Sequence, residues 1–391
     1  MGTTPSAATP TPHFEVSQPR YFAGADVGGT EVKVVIVEVR DSVDPKIVDR
    51  SDFGAPSEVS QGPEHVTGNV IPNALRASLD QAQVSPKLIE GLGADFPAPV
   101  NARGGTVLDI ANLKHLAWPG ARVREGLTAG VAVIEGFSPK IIAVDNDGAA
   151  AMYSLTHELP VSDRRKGVFG LFIGTGVGGA AQENAKNLFN NEGGGTEPGA
   201  TFMSFDEQKI LLGQSGSFEK RKLEEYVSLT AIERQLQILH RVGAIPENHP
   251  LLDLQSKGDK NEWRVRAEKV ISFGVEALQQ EKMDDFSLRL FRVQQGALGM
   301  YLATIIQANR PSHIFIGGGV ADPRRASEQF RKWYLDGIEA AARDNIHQEL
   351  RKTVGFPKFH MPADGDFAAP KGAALMAARL LGAVGKKRDK R

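Results

Sequence analysis

Three stretches of this sequence carry residues that could handle phosphate. Asp26 precedes Gly28-Gly29-Thr30, Ile173 runs into Gly174-Thr175-Gly176-Val177-Gly178-Gly179, and Ile316 runs into Gly317-Gly318-Gly319. Glycines in a strand-to-strand turn let backbone N–H groups converge on one spot with no Cβ in the way, and the hydroxyls of Thr30 and Thr175 add donors there. A nucleoside triphosphate fits two such cradles, with the strand end at Gly318 and Gly319 facing its nucleoside. Asp26 is placed to hold Mg²⁺ through water, since that ion keeps its hydration and takes few carboxylates. A lone turn of this kind is an ordinary hairpin; three glycine clusters point to nucleotide binding.

Competing chemistries fare worse. The P-loop pattern is absent, because Gly-Lys is followed nowhere by Ser or Thr. Gly174, Gly176 and Gly179 satisfy G-x-G-x-x-G, but a dinucleotide fold needs the third glycine to open a helix, whereas Gly179 leads to Ala180-Ala181-Gln182-Glu183. Neither H-E-x-x-H nor G-x-S-x-G occurs. With 0 cysteines there are no disulfides, thiolate metal sites or cysteine nucleophiles.

The elements around these turns alternate between strand-like apolar runs and amphipathic helical stretches, the pattern of an α/β protein. Tyr21–Asp26 and Val32–Val39 read as a hairpin about the first turn, and the plan recurs with Val168–Ile173 about the second, so two related lobes are expected. We expect a disordered tail at 1–19, an N-terminal lobe at 20–146, a larger lobe at 147–384 with a helical insertion near 204–290, and a basic tail at 385–391. Long helices are expected at about 219–241, 261–309 and 325–346, with a surface loop at 242–260. A net charge of -1 predicts neither nucleic acid nor an anionic membrane as partner. No run of about 18 apolar residues occurs, and a cytoplasmic location is expected. The 42 glycines, where average usage of roughly 7% gives about 27, call for an explanation.

The ordered set Asp26-Val27-Gly28-Gly29-Thr30-Glu31-Val32-Lys33, Asp145-Asn146-Asp147-Gly148-Ala149-Ala150, Ile173–Gly179 and Ile316–Val320 resembles the ROK family of sugar kinases and repressors, within the actin-like ATPase superfamily. Gly91–Val100, Asn112-Leu113 with Trp118, Glu224–Ser228 and Pro370–Ala374 also resemble segments of that family. The resemblance spans about residues 20–383. It implies two actin-like α/β lobes with a cleft between them, in which ATP, with Mg²⁺, phosphorylates a sugar hydroxyl, most plausibly the 6-hydroxyl of glucose. Asp26, Gly28, Gly29, Thr30, Lys33, Gly174, Thr175, Gly176, Gly178, Gly318 and Gly319 would then hold the nucleotide. Asp147 would be the general base, accepting the hydroxyl proton; by spacing alone it is equally the cap of the helix beginning at Gly148. Asn112, Asn146, Glu197 and Glu224 would bond sugar hydroxyls.

Two departures bear on function. Kinases of the family commonly carry E-x-G-H followed by a cysteine cluster that binds zinc, but here Glu197-Pro198-Gly199 is followed by Ala200 and 201–222 holds no cysteine, so no zinc site is expected. Only 25 residues precede Asp26, which predicts no winged-helix DNA-binding domain of the repressor kind. The sequence therefore predicts a hexose kinase, a homodimer whose helical insertion forms a lid or interface. Rival readings are a sugar sensor without catalysis, a kinase of N-acetylmannosamine or N-acetylglucosamine, and polyphosphate as donor.

Overall fold

The computed structural model describes residues 18–28, 31–40, 44–53, 60–109, 115–183, 186–187, 197–216, 220–254, 262–353 and 355–384. Among them lie two five-stranded sheets of the same design. The first is built from β1 (Arg20–Val27), β2 (Val32–Val39), β3 (Lys46–Phe53), β4 (Ile89–Phe96) and β7 (Ile141–Asn146), in the order β3-β2-β1-β4-β7. The short ribbon β5 (Val100–Asn101) with β6 (Thr106–Val107) lies between β4 and β7 in the chain. The second sheet uses β8 (Val168–Ile173), β9 (Val177–Glu183), β10 (Lys186–Asn187), β13 (His313–Gly318) and β14 (Lys358–His360), ordered β10-β9-β8-β13-β14. In each, an antiparallel hairpin supplies one half and parallel strands the other. The run VKVVIVEV of β2 is buried at nearly every position, as a strand covered on both faces must be.

On the first sheet α1 (Ile71–Ala82) covers β2 and β3, and α2 (Val123–Val131) contacts β7. Two helices lie between the sheets: α3 (Asp147–Glu158) against β8 and β9, and the last helix, α8 (Ala368–Leu380), against β1, β2, β4 and β7. Residues 368–380, which the sequence reading puts in the second lobe, thus complete the core of the first. Their backbone comes so close that a Cβ at Gly24 would overlap the Pro370 carbonyl oxygen, one at Gly93 that of Ala373, and one at Gly372 that of Ala150. These glycines serve close packing, a use separate from the glycine turns of the two hairpins.

The second lobe carries α4 (Leu229–Arg241), α5 (Glu262–Gln279), α6 (Phe286–Asn309) and α7 (Glu328–Asp344); the single helix expected at 261–309 is broken at 280–285 into α5 and α6, and the one expected from 219 starts instead with a strand at Lys220–Lys222. Helix α6 is the buried spine: Leu288, Phe291, Leu298 and Leu302 are sealed in the largest apolar core, where Phe291 meets Phe330 and Tyr334 edge to face.

Candidate functional site

The parallel strands β1, β4 and β7 run side by side, so their C-terminal ends open on one crevice, the usual place for ligands in an α/β sheet. Register brings Asp26 opposite Asp95, and Asp95 opposite Asp145. Asp95 is sealed from solvent, and as a carboxylate its two oxygens meet no donor. Burial, then repulsion from Asp26, push its pKa well up, which favours the neutral acid donating its proton to the Asp26 carboxylate. The sequence reading did not single out Asp95; its signal was an acid set between Ala94 and Phe96 at the C-terminal end of the strand Ile89–Phe96, whose other acid, Glu90, lies at the opposite end.

One residue past β7 the chain turns into α3. Asn146 caps it: Oδ1 accepts from Gly148 N at 3.0 Å and Ala149 N at 3.3 Å, while Nδ2 donates to the Ala98 carbonyl at 3.2 Å. The capping role open to Asp147 by spacing is therefore filled by its neighbour, and Asp147 stands at the first helical position, half-buried. Its Oδ1 accepts from Gly148 N at 2.7 Å. Burial first, then the charges of Asp26 and Glu197, push its pKa up to about 7. Glu197 is itself raised, by burial and by Glu224. Glu224 Oε2 lies 3.1 Å from where a Cβ on Gly199 would stand and 3.3 Å from that of Gly176, so this carboxylate sits beside the second glycine turn, Gly174–Gly179.

That turn joins β8 to β9 tightly, Gly174 N donating to Gly176 O at 2.9 Å. Gly179 pairs with Leu171 inside β9, which removes the dinucleotide reading, since no helix begins there. A Cβ on Gly174 or Gly178 would meet nothing within 4 Å, leaving the front of the turn open for a ligand. From behind, Leu229 N bonds Gly174 O at 2.9 Å and the Thr230 hydroxyl bonds Thr175 O at 3.3 Å. Arg264 of α5 donates to the Thr175 hydroxyl at 3.1 Å, a contact no motif announced. Gly318 ends β13 with φ +102, and a Cβ there would overlap the Ile173 carbonyl oxygen, so only glycine fits. Gly319 N donates to that same oxygen at 3.3 Å.

In the first turn Gly28 N donates to Glu31 O at 2.8 Å; Gly29, Thr30 and Asn112 lie outside the described residues. Lys33 stands opposite Asp26 on β2 and pairs with Glu31 at 3.2 Å. Burial pulls its ammonium pKa down, but Asp26, Asp366 and Glu31 more than offset this, and it ends above the usual value. Asp366 is shared with Arg324 at 3.6 Å and Arg325 at 3.7 Å, so a charged network runs from the first turn to the loop after β13.

Where the zinc-binding family members carry His and cysteines, this chain has Ala200 and a small ribbon, β11 (Phe202–Ser204) with β12 (Lys220–Lys222). It is anchored by Glu207, only 2% exposed, which accepts from Arg221 at 2.7 Å, from Arg234 at 2.7 and 2.8 Å, and from Gln235 at 3.2 Å. Among the described residues no three His, Asp or Glu side chains are grouped to hold a metal ion.

The model of the ROK family matches residues 22–379 of this chain. The chain belongs to the ROK family. Solved structures agree in fold. A ROK family glucokinase from Streptomyces griseus, in complex with glucose and AMPPNP, matches with a TM-score of 0.65 at 23% identity, covering 92% of this chain and 99% of the other. The ROK hexokinase from Thermus thermophilus gives 0.59 at 20% identity, covering 93% and 99%. A ROK family transcriptional regulator, a homolog of the E. coli MLC protein, gives 0.63 at 16%, covering 93% of this chain and 79% of the regulator. No curated protein matches by sequence. The ROK fold, two actin-like α/β lobes, is therefore this chain's fold, while the family holds both kinases and regulators.

Proposed function

We propose that this ROK protein is an ATP-dependent sugar kinase that phosphorylates a hexose hydroxyl, the 6-hydroxyl of glucose being the first candidate. The observation that carries this reading is the placement of Asp147. Freed from capping by Asn146, it stands among the carboxylates of the crevice with a pKa pushed up to about 7, where a carboxylate can take a proton at neutral pH. The sugar hydroxyl gives its proton to Asp147 as its oxygen bonds the γ-phosphorus. The bond from that phosphorus to the β–γ bridging oxygen breaks, and ADP leaves with the electron pair.

The open turn at Gly174, Thr175, Gly176 and Gly178 lets the backbone approach the phosphates and offers the Thr175 hydroxyl, with Lys33 of the first hairpin as a cation; the N–H groups of Gly174 and Gly28 close their own turns, and the strand end at Gly318 and Gly319 would face the nucleoside. Mg²⁺ would neutralise phosphate charge, held by phosphate oxygens and through water by Asp26, since that ion keeps its hydration and takes few carboxylates. Glu197, Glu224 and the buried Asn146 would bond sugar hydroxyls, with Asn112 a further candidate. Closure of the lobes would exclude water as a competing acceptor. The glucokinase and hexokinase neighbours support this reading.

Ala200, at the position of the family's histidine, favours a second reading, a sensor that binds sugar without turnover. An ADP-release screen over glucose, mannose, fructose, N-acetylglucosamine and N-acetylmannosamine separates the two. Sugar-stimulated release supports the kinase; calorimetric sugar binding with no release from any of the five replaces it with the sensor.

A further inference from the structure

We propose that Arg264 is a phosphate-contacting residue of the donor site, so that the second phosphate turn is completed by helix α5, outside both glycine hairpins. This deepens the kinase reading and rests on it for the identity of the ligand.

Geometry leads to this assignment. Arg264 Nη2 donates to Thr175 Oγ1 at 3.1 Å, which leaves the hydroxyl's own hydrogen for a second acceptor such as a phosphate oxygen. The Thr175 carbonyl is taken by Thr230, which fixes the backbone while the hydroxyl faces Arg264. The guanidinium is held rather than waving in solvent, with its side chain 24% exposed. Its other partner among the described residues is Glu268, one helical turn on, reached through Nε at 3.3 Å and itself 55% exposed. Such an exposed pair is weak and readily exchanged for a polyanion. A guanidinium carries five N–H donors, and these two bonds use two of them.

The course of α5 strengthens the case. Ile271 lies seven residues, about 10.5 Å of helix, beyond Arg264, and its Cδ1 is 3.9 Å from where a Cβ on Gly319 would stand. One face of α5 therefore passes both the turn at 174–176 and the strand end at 317–319. Charge balance points the same way. Asp26, Asp147, Glu197 and Glu224 are grouped here, whereas Lys33 is engaged by Asp26, Asp366 and Glu31, and Arg324 by Asp322 and Asp366. A triphosphate entering such a site needs a cation at the turn itself, and a planar guanidinium binds phosphate oxygens in pairs.

Calorimetric binding of AMP, ADP and ATP with Mg²⁺ to the full chain, wild type against Arg264→Ala and Glu268→Gln, tests this without requiring turnover. Loss of Arg264 should weaken ATP about 10- to 100-fold, ADP less and AMP least, with the unfolding temperature held. Glu268→Gln, an exposed change that spares the fold, should tighten ATP about 2-fold by freeing the guanidinium. Equal weakening of all three nucleotides, or none, overturns the assignment, as does an unchanged ATP affinity in Glu268→Gln. Wild type that binds ATP in an Arg264-dependent way yet releases no ADP with any sugar leaves this inference standing and removes the kinase reading. Wild type that binds no nucleotide removes both.

Discussion

If Asp147 is the base, the rate of sugar phosphorylation should carry its titration. In water an aspartate ionises near pH 4, but here burial and the neighbouring charges of Asp26 and Glu197 raise the pKa to about 7. At pH 8 about nine-tenths of the molecules would then hold the reactive carboxylate, and at pH 6 about one-tenth, so kcat/KM should fall about tenfold per unit below the midpoint. The assay is coupled ADP release at saturating Mg²⁺ over pH 5.5–8.5. Asp147→Asn should lower the rate by about 10²- to 10⁴-fold and lose the limb. The same shift has a stability sign. A folded pKa above the unfolded one means that the native state binds more protons between pH 4 and 7, so stability falls as pH rises through that window. A three-unit shift caps this at about 4 kcal/mol. Asp147→Asn should therefore melt higher than wild type at pH 8, with the gap closing near pH 4. A flat wild-type profile between pH 6 and 8, or an acid limb that survives in Asp147→Asn, would refute the assignment.

Glu207→Ala removes the centre of the buried cluster with Arg221, Arg234 and Gln235 and should cost about 3–5 kcal/mol in denaturant titration; a loss below about 1 kcal/mol would mean that the ribbon is held by other contacts. Gly372→Val forces a side chain into the Ala150 carbonyl between α8 and α3, and should destabilise the fold by more than the about 1–3 kcal/mol of ordinary overpacking, seen as a lowered melting temperature; a wild-type melting temperature would show that the two helices can separate at little cost.

Much of the first lobe was legible because its signals are local. Tyr21–Val39 reads as a hairpin since apolar runs flank a glycine turn, and β1 and β2 pair over that span. The second hairpin is legible for the same reason, and with it the two-lobed repeat. Site residues within a motif were likewise accessible: Asp147 follows a strand and opens a helix in the text of the chain. Arg264, Asp95 and the Glu207 cluster were not. Each acquires its meaning from partners far along the chain, 89 residues away for Arg264 and Thr175, and no spacing rule reaches that far.

The glycine count shows the division most plainly. Sequence alone determined that glycines cluster at 28–29, 174–179 and 317–319, where a backbone without a Cβ can make tight turns or close approaches, because that missing Cβ is a property of the residue itself. It also determined, by the lack of cysteine, that no thiolate metal site exists. Only the tertiary structure decided that Gly24, Gly93 and Gly372 exist for close packing of α8, that Asn146 rather than Asp147 caps α3, and that the buried Glu207 gathers Arg221, Arg234 and Gln235. The physical reason is common to all three. Close approach, hydrogen-bond competition and desolvation depend on which atoms arrive from distant parts of the chain, and those are set only when the two sheets close on the helices between them.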